Sequence, residues 1–242
     1  MTDAELAASV AEQAGRLLMD LRARGDLAGK DLGAEGDRIA NRFLCDALRR
    51  ARPDDAILSE EEQDNLRRMD NARCWIVDPL DGTREYSEGR NDWAVHVALT
   101  LDKTPAVGAV GLPALGEVFR SDQPLPLPPG QNPPRMVVSR SRPAPEAEAV
   151  AARLGAELVA MGSAGAKAMA VVRGDVEIYL HTGGQYEWDN CAPAAVALAA
   201  GLHVSRADGT RLLYNNKTTY LPDLLICRKE WAKPVLDAFL AL

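Results

Sequence analysis

Asp78-Pro79-Leu80-Asp81-Gly82-Thr83 follows directly on the apolar run Cys74-Trp75-Ile76-Val77. The run has strand length, and the hexapeptide reads as a strand that ends in one carboxylate, turns through proline and presents a second carboxylate before a glycine. Strands deliver side chains rigidly to a shared edge, so two acids leaving one strand end predict a fixed cation site. Upstream, Ala56-Ile57-Leu58 forms a second strand-like run that ends in Ser59-Glu60-Glu61-Glu62. Far downstream, Glu187-Trp188-Asp189 stands just before an Ala-rich helical stretch over 190–200. If Glu60, Asp78, Asp81 and Asp189 converge, each pair repels by about 4 kcal/mol at roughly 4 Å with an effective dielectric near 20. Divalent cations relieve such a cluster; the alternative for the hexapeptide read alone is a solvated acidic turn.

Working outward, residues 2–24 predict an amphipathic helix with Leu6, Val10, Leu17, Leu18 and Leu21 on one stripe, a Thr2/Glu5 capping box and Gly25 as its stop. A second helix is expected over 37–51, which places Asp37 at a helix start, with Pro53 ending the segment. Strands are expected over 93–101, 106–112 and 117–120 as a meander. Pro124, Pro126, Pro128, Pro129, Pro133 and Pro134 then crowd one connector. We place a lobe boundary there, giving an N-terminal α+β lobe over 1–129 and a C-terminal α/β lobe over 130–242. Strands over 136–139, 157–161, 176–180 and 202–205 alternate with helical patterns in the second lobe, and Asp208-Gly209 predicts a hairpin turn.

The 242 residues carry a formal net charge of −7, which disfavours sequence-independent binding to nucleic acid. No stretch approaches the roughly 20 apolar residues of a membrane span. The acidic N-terminus lacks signal-peptide character, so a cytoplasmic location is expected. The cysteines Cys45, Cys74, Cys191 and Cys227 lie far apart, as do His96, His181 and His203, which argues against zinc. Carboxylate oxygens are hard ligands, so Mg²⁺ is the expected cation, with Mn²⁺ as a substitute. An EF-hand loop fails on spacing, because Leu80 and Gly82 fall where its third and fifth ligands belong.

The combination of Glu60-Glu61, Asp78-Pro79-Leu80-Asp81-Gly82-Thr83 and Trp188-Asp189 resembles the inositol monophosphatase superfamily of lithium-sensitive, Mg²⁺-dependent phosphatases. Arg84-Glu85-Tyr86 is similar to the Lys-Glu-Phe of its 3'(2'),5'-bisphosphate nucleotidase branch, the CysQ-type enzymes. Ser139-Arg140-Ser141 and Gly162-Ser163-Ala164-Gly165-Ala166-Lys167 extend the resemblance over nearly the whole chain. It implies the layered α-β-α-β-α sandwich shared with fructose-1,6-bisphosphatase, and two or three Mg²⁺ per site. Glu60, Asp78 and the Leu80 carbonyl would hold one, and Asp78, Asp81 and Asp189 a second. Thr83 would pair with Asp37, or with Glu35 in its place, to activate water alongside Glu60. Gly82, Thr83, Ser139, Arg140, Ser163, Lys167, Glu187 and Asp189 would meet the substrate, with Arg140 or Lys167 neutralising a second phosphate. Tyr86, Trp93 and Tyr186 are candidates for packing on an adenine ring, or else core. The implied reaction is hydrolysis of 3'-phosphoadenosine 5'-phosphate to AMP and phosphate, a step of sulfur metabolism. Inositol or fructose bisphosphate phosphatase activity is the alternative, and a non-catalytic phosphometabolite sensor the alternative of another class. A small phosphate ester is thus the expected partner, and family members often form homodimers.

Overall fold

A computed structural model describes all 242 residues. Helix α1 (Asp3–Arg24) opens with the expected capping box, in which Thr2 and Glu5 exchange hydrogen bonds, and stops at Gly25 in the left-handed region. Helix α2 (Gly29–Ala51) begins eight residues earlier than the pattern suggests, so Asp37 lies well inside a helix and not at its start. Gly29, Gly33 and Gly36 mask its first turns. Two of them make room for neighbours: a Cβ on Gly33 would stand 2.7 Å from Thr83 Cγ2, and one on Gly36 3.0 Å from a Leu80 methyl.

Strands β1 (Ala56–Ser59) and β2 (Arg73–Asp81) follow, then the short helix α3 (Thr83–Ser87), β3 (Ala94–Leu101), β4 (Thr104–Leu112) and β5 (Glu117–Arg120). These strands form one sheet in sequence order, with β1 parallel to β2 and the rest antiparallel. Contrary to expectation, β2 does not end at Asp78. It continues through Pro79 and Leu80 to Asp81, with its pairing to β3 shifted between the two acids. Proline has no N–H to give a ladder, and this irregularity accommodates it.

After the proline-rich connector come β6 (Arg135–Ser139), α4 (Pro145–Leu154), β7 (Glu157–Met161), α5 (Ala164–Arg173), β8 (Ile178–His181), β9 (Gln185–Tyr186) and α6 (Glu187–Ala199). The chain finishes with β10 (His203–Ser205), β11 (Tyr220–Leu221), β12 (Leu224–Cys227) and α7 (Lys229–Leu240). The second sheet has the order β10-β12-β8-β6-β7, and β9 pairs with β11 as a separate ribbon. Two expectations need correction here. Asp189 sits within the first turn of α6 and not ahead of it, which puts Pro193 in the second turn. Asp208-Gly209 does turn the chain, with Gly209 N–H donating to Arg206 O, but β10 pairs with the distant β12 and no tight hairpin forms.

Period-two alternation builds the layers. Trp75, Val77, Val95, Val97 and Leu99 face α1 and α2, while Cys74, Ile76, Ala94 and Ala98 face the opposite way onto α5 and α6. The latter helices also pack on Val137, Tyr179 and Ile226 of the second sheet, whose outer face is covered by α4 and α7. The result is an α-β-α-β-α sandwich. All four cysteines are buried and free, and no helix is long and apolar enough to cross a membrane.

Candidate metal centre and substrate cavity

The end of β2 and the start of α6 bring Asp78, Asp81 and Asp189 together, with one carboxylate oxygen of each within 4.8 Å of the others. Neither Asp78 nor Asp81 exposes more than 7% of its surface. Burial, then Glu60, Asp81 and Asp189, holds the Asp78 carboxyl far above its ordinary range. Burial and Asp81 push Asp189 up to about 6. Glu60 stands solvent-accessible at the rim, yet dense surroundings and Asp189 raise it to about 7, and it lies within hydrogen-bond reach of Asp78. Hard oxygen donors crowded so closely, and driven toward protonation for want of positive charge, are the chemistry of a divalent-cation site.

Asp81 differs from its neighbours. Its carboxylate accepts hydrogen bonds from Ser163 Oγ at 2.5 Å, Gly165 N at 2.6 Å and Ala164 N at 3.1 Å, so it sits on the N-terminus of α5. His96 Nε2 lies 3.2 Å away, and His96 Nδ1 is 2.9 Å from the Trp188 carbonyl. Burial alone would raise Asp81, but His96, Ser163 and the helix N–H groups bring it down to about 2. His96 escapes sequence reasoning as one isolated histidine. Its signal is register: it shares the inward face of β3 with Ala94 and Ala98, where an apolar residue is expected.

Asp37 faces Glu60, Glu61 and Thr83, and burial with the two glutamates raises it to about 8, partly offset by the nearby Thr83 hydroxyl. Glu35 is instead bound by Arg38 through contacts of 2.6 and 2.8 Å on the outer side of α2. Thr83 Oγ1 donates its one proton to Leu80 O at 3.1 Å. Gly82, at φ 89°, turns the chain from β2 into α3 in a conformation that disfavours a side chain.

Asp81, Gly82, Thr83, Ser139, Ser163, Lys167 and Asp189 line a cavity of about 570 Å³. Two expected substrate residues are elsewhere. Arg140 is tied to Glu85 at 2.9 Å and Glu88 at 2.8 Å, so its charge is already matched. Glu187 turns into the core and accepts from Asn215 N at 2.6 Å and from Asn216 N and Nδ2 at 2.9 Å. The cations that line the cavity are Arg84, Lys167 and Arg142, the last standing two residues beyond Arg140 and free of any carboxylate partner. Lys167, buried, gives its ammonium to the Ser163 and Gly162 carbonyls and lies over the Tyr179 ring, 5.5 Å from its centroid. Burial lowers the His181 pKa, and Lys167 and Arg142 add to the effect. Tyr86 and Trp93 are wholly buried, whereas Tyr186 lines the cavity and is joined there by Tyr220.

A family model described as the inositol monophosphatase family matches residues 2–237. A Mycobacterium leprae protein named 3'-phosphoadenosine 5'-phosphate phosphatase is 49% identical over 98% of this chain and 92% of its own length. An Escherichia coli K12 protein named 3'(2'),5'-bisphosphate nucleotidase CysQ is 29% identical over 76% of this chain and 80% of its own. Among solved structures, CysQ from Bacteroides thetaiotaomicron matches with a TM-score of 0.80 at 25% identity, covering 94% of this chain and 97% of that one.

Proposed function

The chain belongs to the inositol monophosphatase family, and from that premise we propose that it is a Mg²⁺-dependent phosphomonoesterase that converts 3'-phosphoadenosine 5'-phosphate to AMP and phosphate. The observation that carries the reading is one cavity whose lining combines two of the clustered acids, Asp81 and Asp189, with the cations Arg142 and Lys167. A substrate bearing two phosphates fits both. The near-full-length likeness to the Mycobacterium leprae phosphatase supports the choice of nucleotide.

Glu60, Asp78 and the Leu80 carbonyl would hold one Mg²⁺, and Asp78, Asp81 and Asp189 another, with Mn²⁺ as a substitute. When bound, the cations supply Lewis acidity that polarises the phosphoryl group and acidifies water beside it. Asp81, fixed as an anion by α5 and His96, keeps its ligand oxygen in place. The Thr83 hydroxyl relays a proton from the attacking water to the Asp37 carboxylate, which serves as general base. The N–H groups of Gly82 and Thr83 orient the scissile phosphate, while Arg142 holds the second one. Four buried free thiols accord with a reducing, cytoplasmic setting.

The test is phosphate release from 3'-phosphoadenosine 5'-phosphate, inositol 1-phosphate and fructose 1,6-bisphosphate with Mg²⁺, each repeated with EDTA and with Asp81→Asn. The expected result is preference for the nucleotide, abolished by both controls. Equal rates on all three would replace it with a broad sugar and nucleotide phosphatase, and no metal-dependent release would end the reading.

A further inference from the structure

The mechanism leaves one part of the cavity unused. Tyr186 and Tyr220 are 47% and 49% exposed in a cavity whose other lining is mostly polar and whose remaining tyrosine, Tyr179, is wholly buried. They are held there by the fold. Their backbones pair directly in the β9–β11 ribbon. The Tyr186 ring is stacked on Trp188 with centroids 4.9 Å apart and planes 9° apart, and Tyr220 stands at 79° to it, 6.1 Å away. Gly184, at φ +80°, gives up its side chain for the same purpose, since a Cβ there would lie 2.4 Å from the Tyr220 hydroxyl. The corner adjoins the acid cluster directly, because Tyr186 N–H donates to Asp189 Oδ2 at 2.6 Å.

A rigid aromatic surface kept half in water beside an ion-lined cavity is suited to a ligand that combines anionic groups with a flat ring. We propose that Tyr186 and Tyr220 form the nucleobase platform of this site, so that recognition of the base, and hence preference for nucleotides over sugar phosphates, resides in the β9–β11 ribbon. The inference rests on the nucleotide reading above and adds to it the residues that read the base. Stacking is tolerant of base identity, so the platform selects for a ring rather than for one base.

The test is binding of AMP and of ribose 5-phosphate, which differ only by the base, measured by calorimetry with Mg²⁺ on wild type, Tyr220→Ala and Tyr220→Phe. Wild type should bind AMP at least ten-fold more tightly than ribose 5-phosphate. Tyr220→Ala should weaken AMP about ten-fold, equivalent to about 1.4 kcal/mol, and leave ribose 5-phosphate within two-fold, which also shows that the variant is folded. Tyr220→Phe should retain wild-type affinity. AMP should quench the fluorescence of Trp188 through Tyr186, a signal lost in Trp188→Phe. Equal wild-type affinity for the two ligands, or parallel weakening of both in Tyr220→Ala, would overturn the platform. Failure of the parent reading is separate: it is absence of phosphate release from 3'-phosphoadenosine 5'-phosphate by wild type, while the AMP comparison still decides the role of the tyrosines.

Discussion

Asp78, Asp81 and Asp189 are one residue type in one cluster, yet Asp81 is held down to about 2 while its neighbours are driven up. The difference lies in donors: Asp81 has three hydrogen bonds and His96, whereas Asp78 has one backbone N–H, from Leu80 at 3.1 Å. The same logic separates Asp37 from Glu35, which sequence spacing left as rivals, because Arg38 already neutralises Glu35 and nothing neutralises Asp37. Asp37→Asn should therefore lower kcat by about 10²- to 10⁴-fold, the ordinary scale of general acid–base assistance, while Glu35→Gln stays within two-fold of wild type. Steady-state phosphate release measures both, and equal losses would remove Asp37 from its role. A second contrast sets Arg142 against Arg140. Arg142→Ala should raise KM for 3'-phosphoadenosine 5'-phosphate about ten-fold or more, as expected for a charge-assisted hydrogen bond worth roughly 1.5–3 kcal/mol, and leave KM for inositol 1-phosphate unchanged. Arg140→Ala should leave both KM values alone, its partners being Glu85 and Glu88.

At the scale of elements, the α5 N-terminus and β3 clamp Asp81 between them, and Gly165 sets how closely they approach. A Cβ on Gly165 would stand 2.1 Å from His96 Nε2 and 2.9 Å from Ala94 Cβ, neither of which is the tip of a flexible chain. Gly165→Ala should lower stability by about 1–3 kcal/mol, the usual penalty of overpacking, and weaken Mg²⁺ binding by displacing His96 from Asp81. Denaturant unfolding with Mg²⁺ titration by calorimetry tests this, and unchanged Mg²⁺ affinity would show that the clamp does not govern the ligand. Much of this level was legible beforehand, for local physical reasons. Capping chemistry marked α1, alternation marked β3 to β5, and acids at element ends marked the cluster. What was hidden depended on partners remote in sequence. The start of α2 was obscured by glycines whose use is contact with α3 and Leu80. The engagement of Arg140 requires Glu85, 55 residues away. Glu187 reads like a ligand beside Trp188-Asp189, but in the first turn of α6 it faces Asn215 and Asn216 while Asp189 faces the cavity. Tyr220 lies in a two-residue strand too short to register as a pattern.

The whole molecule places this acid-rich site at the meeting of two sheets through helices α5 and α6, and the placement has a thermodynamic consequence. Folding raises Asp37 from 3.8 to about 8, Glu60 from 4.5 to about 7 and Asp189 from 3.8 to about 6. Between pH 4 and 8 the folded, cation-free protein consequently binds more protons than the unfolded chain. Stability then falls as pH rises through this window, since the slope follows protons bound unfolded minus folded. Asp81 acts oppositely, contributing stability above its unfolded value that is lost only as pH falls toward about 2. The melting temperature of EDTA-treated protein should therefore decline from pH 5 to pH 8. Mg²⁺ should reverse the trend, and its stabilisation should grow with pH because it competes with those protons. One site at a hundred-fold excess over Kd contributes about 2.7 kcal/mol, roughly 5–11 °C for a chain of this size. Scanning calorimetry at pH 5, 6, 7 and 8, with EDTA and with Mg²⁺, measures the effect directly. A Mg²⁺ increment that is flat across these pH values would mean that cations bind away from the buried carboxylates, and would detach the metal site from Asp78, Asp81 and Asp189.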